Sequence, residues 1–223
     1  PNALNGLQVG NGGEVTRVAA AVDACESVVQ AAVDAGADLL IVHHGLFWSG
    51  LSAVTGSFRR KLKTALDANL AVYSAHLPLD AHPDVGNNVL LGRALGLGEV
   101  SPFLKIGVQG NLAISRSELR ARLAGAVGGP VHLAPGGPEM VRRIGIVTGG
   151  AGGDIFQAAA EGVDAFITGE GPHWSYTAAE ESGMNLFYAG HYATETFGVR
   201  ALAGHIEQTF GLPWSFLDHP TGL

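Results

Sequence analysis

The sequence predicts an α/β fold of two similar, duplicated lobes with mostly parallel sheets. Three observations carry this. Short continuous apolar runs alternate with Ala-rich helical stretches, the runs lack the polar alternation of a half-wet sheet, and the order of the first half returns in the second.

In chain order, "TRVAAAVDA" (16–24) reads as a strand, 26–36 as a helix and "ADLLIVHH" (37–44) as a second strand. Residues 57–69 are helical, "LAVYSAH" (70–76) is a third strand, and "NNVLLGRALGL" (87–97) is a helix behind an Asn/Gly turn. Residues 101–140 hold "NLAI", the helical "SRSELRARLAGAV" and the Gly/Pro-rich "VHLAPGGPEM", which is either a connection between domains or a set of hairpin turns. Then the pattern repeats: "VRRIGIVTGGAGGDIFQAAAEGVDAFITGEG" (141–171) parallels "VTRVAAAVDACESVVQAAVDAGADLLIVHHG" (15–45), with His43-His44 opposite Gly169-Glu170. A strand "NLFYA" and a helix over about 194–210 close the second half. The expected organisation is a first lobe over 1–100, a connecting region over 101–140 and a second lobe over 141–223.

Composition narrows the function. A net charge of -7 argues against a duplex nucleic-acid partner, which needs a dense Lys/Arg footprint. The low charged fraction, 15%, fits a surface partly covered by other subunits. A single cysteine, Cys25, excludes an internal disulfide framework and a thiolate zinc cage, and fits a reducing cytosol. No leader and no apolar run of membrane-spanning length is present, so the expected setting is cytoplasmic without a membrane partner. The glycine-rich "GGAGGD" (149–154) lacks the Lys-Ser/Thr of a phosphate loop and reads as a strand-to-helix turn, whose amides could still take an anion.

Chemistry gathers where strands end. Ligands of open α/β sheets sit beyond the carboxyl ends of the strands. Four polar clusters fall there: His43-His44 after "LLIV", His76 and Asp80 in "SAHLPLD", Glu170 and His173 in "ITGEGPHW", and His191 and Glu195 in "FYAGHYATE". Each residue alone has a structural role open to it, as a cap, a turn residue or a carbonyl partner; His132, His205 and His219 are read that way. Four clusters together point to metal. Histidine and carboxylate donors without thiolate suit zinc, iron, manganese, cobalt or nickel. His191-x-x-x-Glu195 spaces two donors by about one helical turn. If the strand ends at His43-His44, the two rings can diverge to serve two ions, with Asp80 and Glu195 supplying charge and a carboxylate bridging. Five side chains exceed one open tetrahedral site and suit two divalent ions.

The motifs "LNGLQVG", "AVDA", "GADLLIVHHG", "AHLPLDAHPDVGNN", "TGGAGG", "DAFITGE" and "AGHYATE" resemble those of the dinuclear-metal family of NIF-three-like, YbgI-like proteins, also called GTP cyclohydrolase 1 type 2 homologues. They run over nearly the whole chain in the family's order. The resemblance implies that His44 and Asp80 serve one ion, His43 and His191 the other, and that Glu195 bridges. It implies that His76 touches a ligand or substrate, and it places Glu170 and His173 at the cavity. It also implies a ring-shaped homohexamer, and hydrolytic opening of the guanine ring of GTP with loss of formate. In that mechanism His76 or His173 shuttles a proton. The runner-up is a metal-containing ring that binds a ligand or partner without turnover. The family has an N-terminal helix and an Asp-Asn ahead of its Gly-Leu-Gln-Val; this chain opens late, without Met, and supplies Asn2 and Asn5 instead.

Overall fold

A computed structural model describes residues 3–223; Pro1 and Asn2, and with them the expected role of Asn2, lie outside the described residues. The chain runs β1 (Gly6–Val9), β2 (Val18–Asp23), α1 (Glu26–Asp34), β3 (Leu39–His44), α2 (Gly56–Asp67), β4 (Ala71–Ser74), α3 (Leu77–Asp80) and α4 (Asn87–Leu95). It continues with β5 (Val100–Phe103), β6 (Gly107–Ser115), α5 (Arg116–Val127), β7 (His132–Pro135), β8 (Met140–Ile146), α6 (Ile155–Ala160), β9 (Ala165–Thr168) and α7 (Trp174–Glu181). The last elements are β10 (Asn185–Tyr188), α8 (His191–Thr194), α9 (Thr196–Phe210) and β11 (Trp214–Phe216).

Two compact units result. The first holds the described residues up to Leu79 together with Gly198–His219. Its sheet has the order β1-β4-β3-β2-β11, parallel except at β1. Continuous apolar strands form the centre because both sheet faces are covered: Ala19, Ala21, Leu40, Val42 and Val72 pack with Val28, Val29 and Ala32 of α1.

The second unit comprises Asp80–Phe197 and Pro220–Leu223. Its sheet has the order β5-β6-β8-β9-β10-β7, with β8, β9 and β10 parallel and the flanking strands antiparallel. Leu91 and Leu95 of α4 join Leu119, Leu123, Ile144, Ile146 and Phe187 in its core, and Phe166 packs with Ile155 and Ala158 of α6.

The sequence repeat is a structural one. Val18, Ala19 and Ala20 pair with Leu39, Leu40 and Ile41, and the residues aligned with them, Ile144, Gly145 and Ile146, pair with Ala165, Phe166 and Ile167. The aspartate that opens the second strand of each repeat has one task in both. Asp38 accepts from Thr16 N, Thr16 Oγ1 and Arg17 N at 2.8, 2.8 and 3.0 Å, and Asp164 accepts from Arg142 N and Arg143 N at 2.7 and 3.0 Å.

Boundaries differ from the sequence division at 1–100, 101–140 and 141–223. Residues 80–100 belong with the second unit because α4 buries its leucines there, and residues 101–140 supply three strands and a helix of that unit instead of a connection. Gly198–His219 returns to the first unit because β11 pairs with β2.

Asp38 ties the start of one strand to the start of the next, so Asp38→Ala should destabilise the protein by about 1.5–3 kcal/mol at neutral pH in equilibrium denaturation. Burial raises the Asp38 pKa, but the bonds from Thr16 and Arg17 outweigh it and hold it below its ordinary value. The wild-type excess over the variant is therefore present above the ordinary carboxylate pKa and fades as pH falls through the lowered one. An excess independent of pH would contradict this origin.

Candidate metal centre

Each unit places its polar side chains at or just past the carboxyl ends of three parallel strands. In the first, β3 is apolar and buried until His43, and Asp23 closes β2 in register with His44. His43 is fully buried, with Nδ1 2.9 Å from the carbonyl oxygen of Ala75. His44 Nδ1 lies 2.8 Å from Asp23 Oδ1. Carbonyl and carboxylate oxygens only accept, so both Nδ1 atoms donate, and in the neutral rings Nε2 keeps the lone pair.

His76, after β4, completes a cluster. Its ring centroid lies 4.9 Å from that of His43 and 5.3 Å from that of His44. One ligating nitrogen from each of the three falls within 4.8 Å of the others, a set that could hold a metal ion. The strand does run through both histidines, yet their rings incline by 49° with centroids 4.8 Å apart. Two contacts fix the surrounding loops: Asn5 Oδ1 accepts from His76 N at 2.7 Å, and Gln8 Oε1 accepts from Leu46 N at 2.6 Å. Gln8 occupies the space a side chain at Gly45 would need, so the turn after the histidines requires glycine.

In the second unit the equivalent strand ends carry Gly149, Glu170 and His191. His191 opens α8, and the one-turn spacing brings its Nε2 within 3.2 Å of Glu195 Oε2, while Nδ1 lies 2.8 Å from Glu170 Oε1. Glu195 and Asp80 are buried, and a carboxylate oxygen of each lies within 4.8 Å of the other. Asp80, at the end of the short α3, is held by Asn87 Nδ2 at 2.8 Å and Thr148 Oγ1 at 3.4 Å.

The "GGAGGD" turn serves this acidic pocket. Gly149 has φ +71°, a Cβ there would collide with the Glu195 carboxylate, and its N–H donates to Thr194 Oγ1 at 3.0 Å. Glu170 and Glu195 flank one imidazole, and Asp80 lies beside Glu195, an acidic cluster that favours cations. The hydrogen bond with Glu195, against the opposing effect of burial and with help from Glu170, raises His191 to about 9.

The donor set fits a divalent transition metal. His43, His44 and His191 each anchor Nδ1 on an oxygen acceptor, the arrangement that fixes ring orientation at histidine–metal sites, and the donors are nitrogen and carboxylate oxygen. Cys25 stands apart at the N-cap of α1, its Sγ 3.1 Å from Ser27 Oγ. His173 is an exposed N-cap of α7 without a side-chain cap bond and lines a cavity beside Glu170. Sequence reasoning does not single out Asp23, Thr148, Thr194 or Asn87 as site residues. Asp23 alone carries a signal, as a polar residue ending an apolar strand.

Comparisons with known proteins show the family and the fold. The family described as Duf34/NIF3 (NGG1p interacting factor 3) matches residues 2–221. A Deinococcus radiodurans protein named GTP cyclohydrolase 1 type 2 homolog is 45% identical over 99% of this chain and 87% of its own length. An Escherichia coli K12 protein of the same name is 40% identical over 98% of this chain and 90% of its own. The crystal structure of TTHA1606 from Thermus thermophilus superposes with a TM-score of 0.95 at 43% identity, covering 100% of this chain and 91% of that one.

In metal-free protein, NMR titration of the histidine rings should give His191 a midpoint near 9, falling toward the ordinary 6.5 in Glu195→Gln. A wild-type midpoint at or below 6.5 would contradict the carboxylate pairing.

Proposed function

Because the chain belongs to the Duf34/NIF3 (NGG1p interacting factor 3) family, we propose that it is a hydrolase using two divalent metal ions on a small-molecule substrate. One observation carries the reading: three histidines that each anchor Nδ1 on an oxygen acceptor, together with two buried carboxylates. His44 and Asp80 would hold one ion, His43 and His191 the other, and Glu195 would bridge. Bound there, a pair of divalent ions supplies Lewis acidity and lowers the pKa of water.

The chain's own residues do the rest. Asp23, Ala75 and Glu170 keep the three imidazoles oriented and their Nδ1 atoms protonated. His76, whose backbone N–H is fixed by Asn5, is placed beside His43 and His44 to take and return a proton at a ring nitrogen. His173 is a second proton carrier, on the Glu170 side. The reaction type carried by the relatives' name, GTP cyclohydrolase, is ring opening, and GTP is the substrate to test first. The assembly we propose is a ring-shaped homohexamer.

A second reading, a metal-containing oligomer that binds a partner without turnover, is favoured by the description of the family as an interacting factor. Among the described residues no helix is long and apolar enough to cross a membrane.

Protein purified without chelator should carry about two ions per chain, fewer in His43→Ala and in Glu195→Ala, and Asp23→Ala should bind them about 10–100-fold more weakly. The ion-loaded wild type should release formate from GTP or open a related ring. Two ions without hydrolysis of any nucleotide or cyclic amide would favour the binding reading, and no ion after incubation with zinc, manganese or iron would sink both.

A further inference from the structure

A cavity of about 550 Å³ opens in the second unit on the Glu170 side, a size that suits a small molecule. Its walls are aromatic. Antiparallel pairing of β7 with β10 sets His132 opposite Tyr188, and Tyr176 of α7 completes the group. The ring of His132 lies 5.7 Å from that of Tyr176 at 39° and 6.0 Å from that of Tyr188 at 31°. Pro172 and His173 close the side. His132, read from sequence as a structural histidine, is a wall of this cavity.

Beside the two imidazoles, which each carry one N–H, the polar side-chain groups in it are acceptors. Ser175 Oγ donates to the carbonyl oxygen of Pro172 at 2.6 Å, so in its 2.7 Å bond with Tyr188 the phenol must donate. The Tyr188 oxygen is left with its lone pairs. Glu170 accepts from His191 through Oε1, and a carboxylate has further lone pairs to offer. No Lys or Arg is among the described residues lining the cavity, so it suits a phosphate poorly.

We propose that this cavity binds a flat heteroaromatic ring, stacked against Tyr176, Tyr188 and His132, with N–H donors on one edge directed at the Glu170 carboxylate. Stacking on such walls accepts any flat ring, while an acceptor at the edge selects rings that carry donors. The proposal deepens the hydrolase reading, on which it rests only for the fate of the ring: Glu170 also holds His191, so a ring bonded to this carboxylate lies one side chain from a proposed metal ligand.

The test is calorimetric titration of the full chain, as purified, with guanosine, whose edge carries adjacent N–H donors, and with adenosine, whose edge does not. Guanosine should bind saturably and adenosine about tenfold more weakly. Tyr176→Ala and His132→Ala should each weaken guanosine binding about tenfold, the effect of losing a stacking wall, while metal content and thermal unfolding stay at the wild-type level. Absence of saturable binding, or equal binding by wild type and both variants, would overturn the proposal. Ring binding without any hydrolysis would leave the pocket standing and count against the hydrolase reading. Hydrolysis unaffected by both variants would count against the pocket alone.

Discussion

A parallel strand covered on both faces tolerates almost no polar side chain along its length, and that constraint shapes this protein. Strands β2, β3 and β9 hold buried apolar or small residues almost throughout, as does the carboxyl-terminal half of β8. Polar chemistry is therefore displaced to the last residues of the strands and the first beyond their carboxyl ends, where the register of neighbouring strands lines them up. Asp23 stands opposite His44 for that reason, and Glu170 and His191 follow the ends of adjacent strands β9 and β10. A slip of one residue in β3 would turn the histidines to the opposite faces, so the apolar run that fixes the register also fixes the site.

Electrostatics divide between the units. The first offers imidazole nitrogens with a single flanking carboxylate; the second offers two carboxylates at one imidazole, with Asp80 beside one of them. Without a cation, the acidic set holds a proton on His191 up to a pH of about 9. Burying Asp80 and Glu195 is costly unless positive charge or hydrogen-bond donors meet them, and Asn87 and Thr148 provide part of that for Asp80. Gly149 has no Cβ to crowd Glu195, so a turn resembling a phosphate loop makes room for a carboxylate.

Much of this is legible in sequence because it is local. The apolar runs, the repeat and the spacing of His191 and Glu195 depend on near neighbours, and the strand pairing and the 3.2 Å approach follow from them. What escapes depends on distant parts of the chain. The hairpin of β5 with β6 and the pairing of β7 with β10 each use a short, half-exposed strand, β5 or β7, with a weak apolar signal, so 101–140 reads as a connection. The partners that orient the site come from far along the sequence, as Asp23 does for His44 and Asn5 for the backbone of His76. Neither the return of β11 to β2 nor the partnership of His132 with Tyr188 has a local signature.

The central proposal is that His43, His44, Asp80, His191 and Glu195 supply the ligands of two ions. Anomalous diffraction from crystals loaded with manganese or zinc tests it most directly. Two peaks about 3.5–4 Å apart are expected, each with ligands drawn from those five residues. A single peak, or peaks coordinated by other residues, would contradict it.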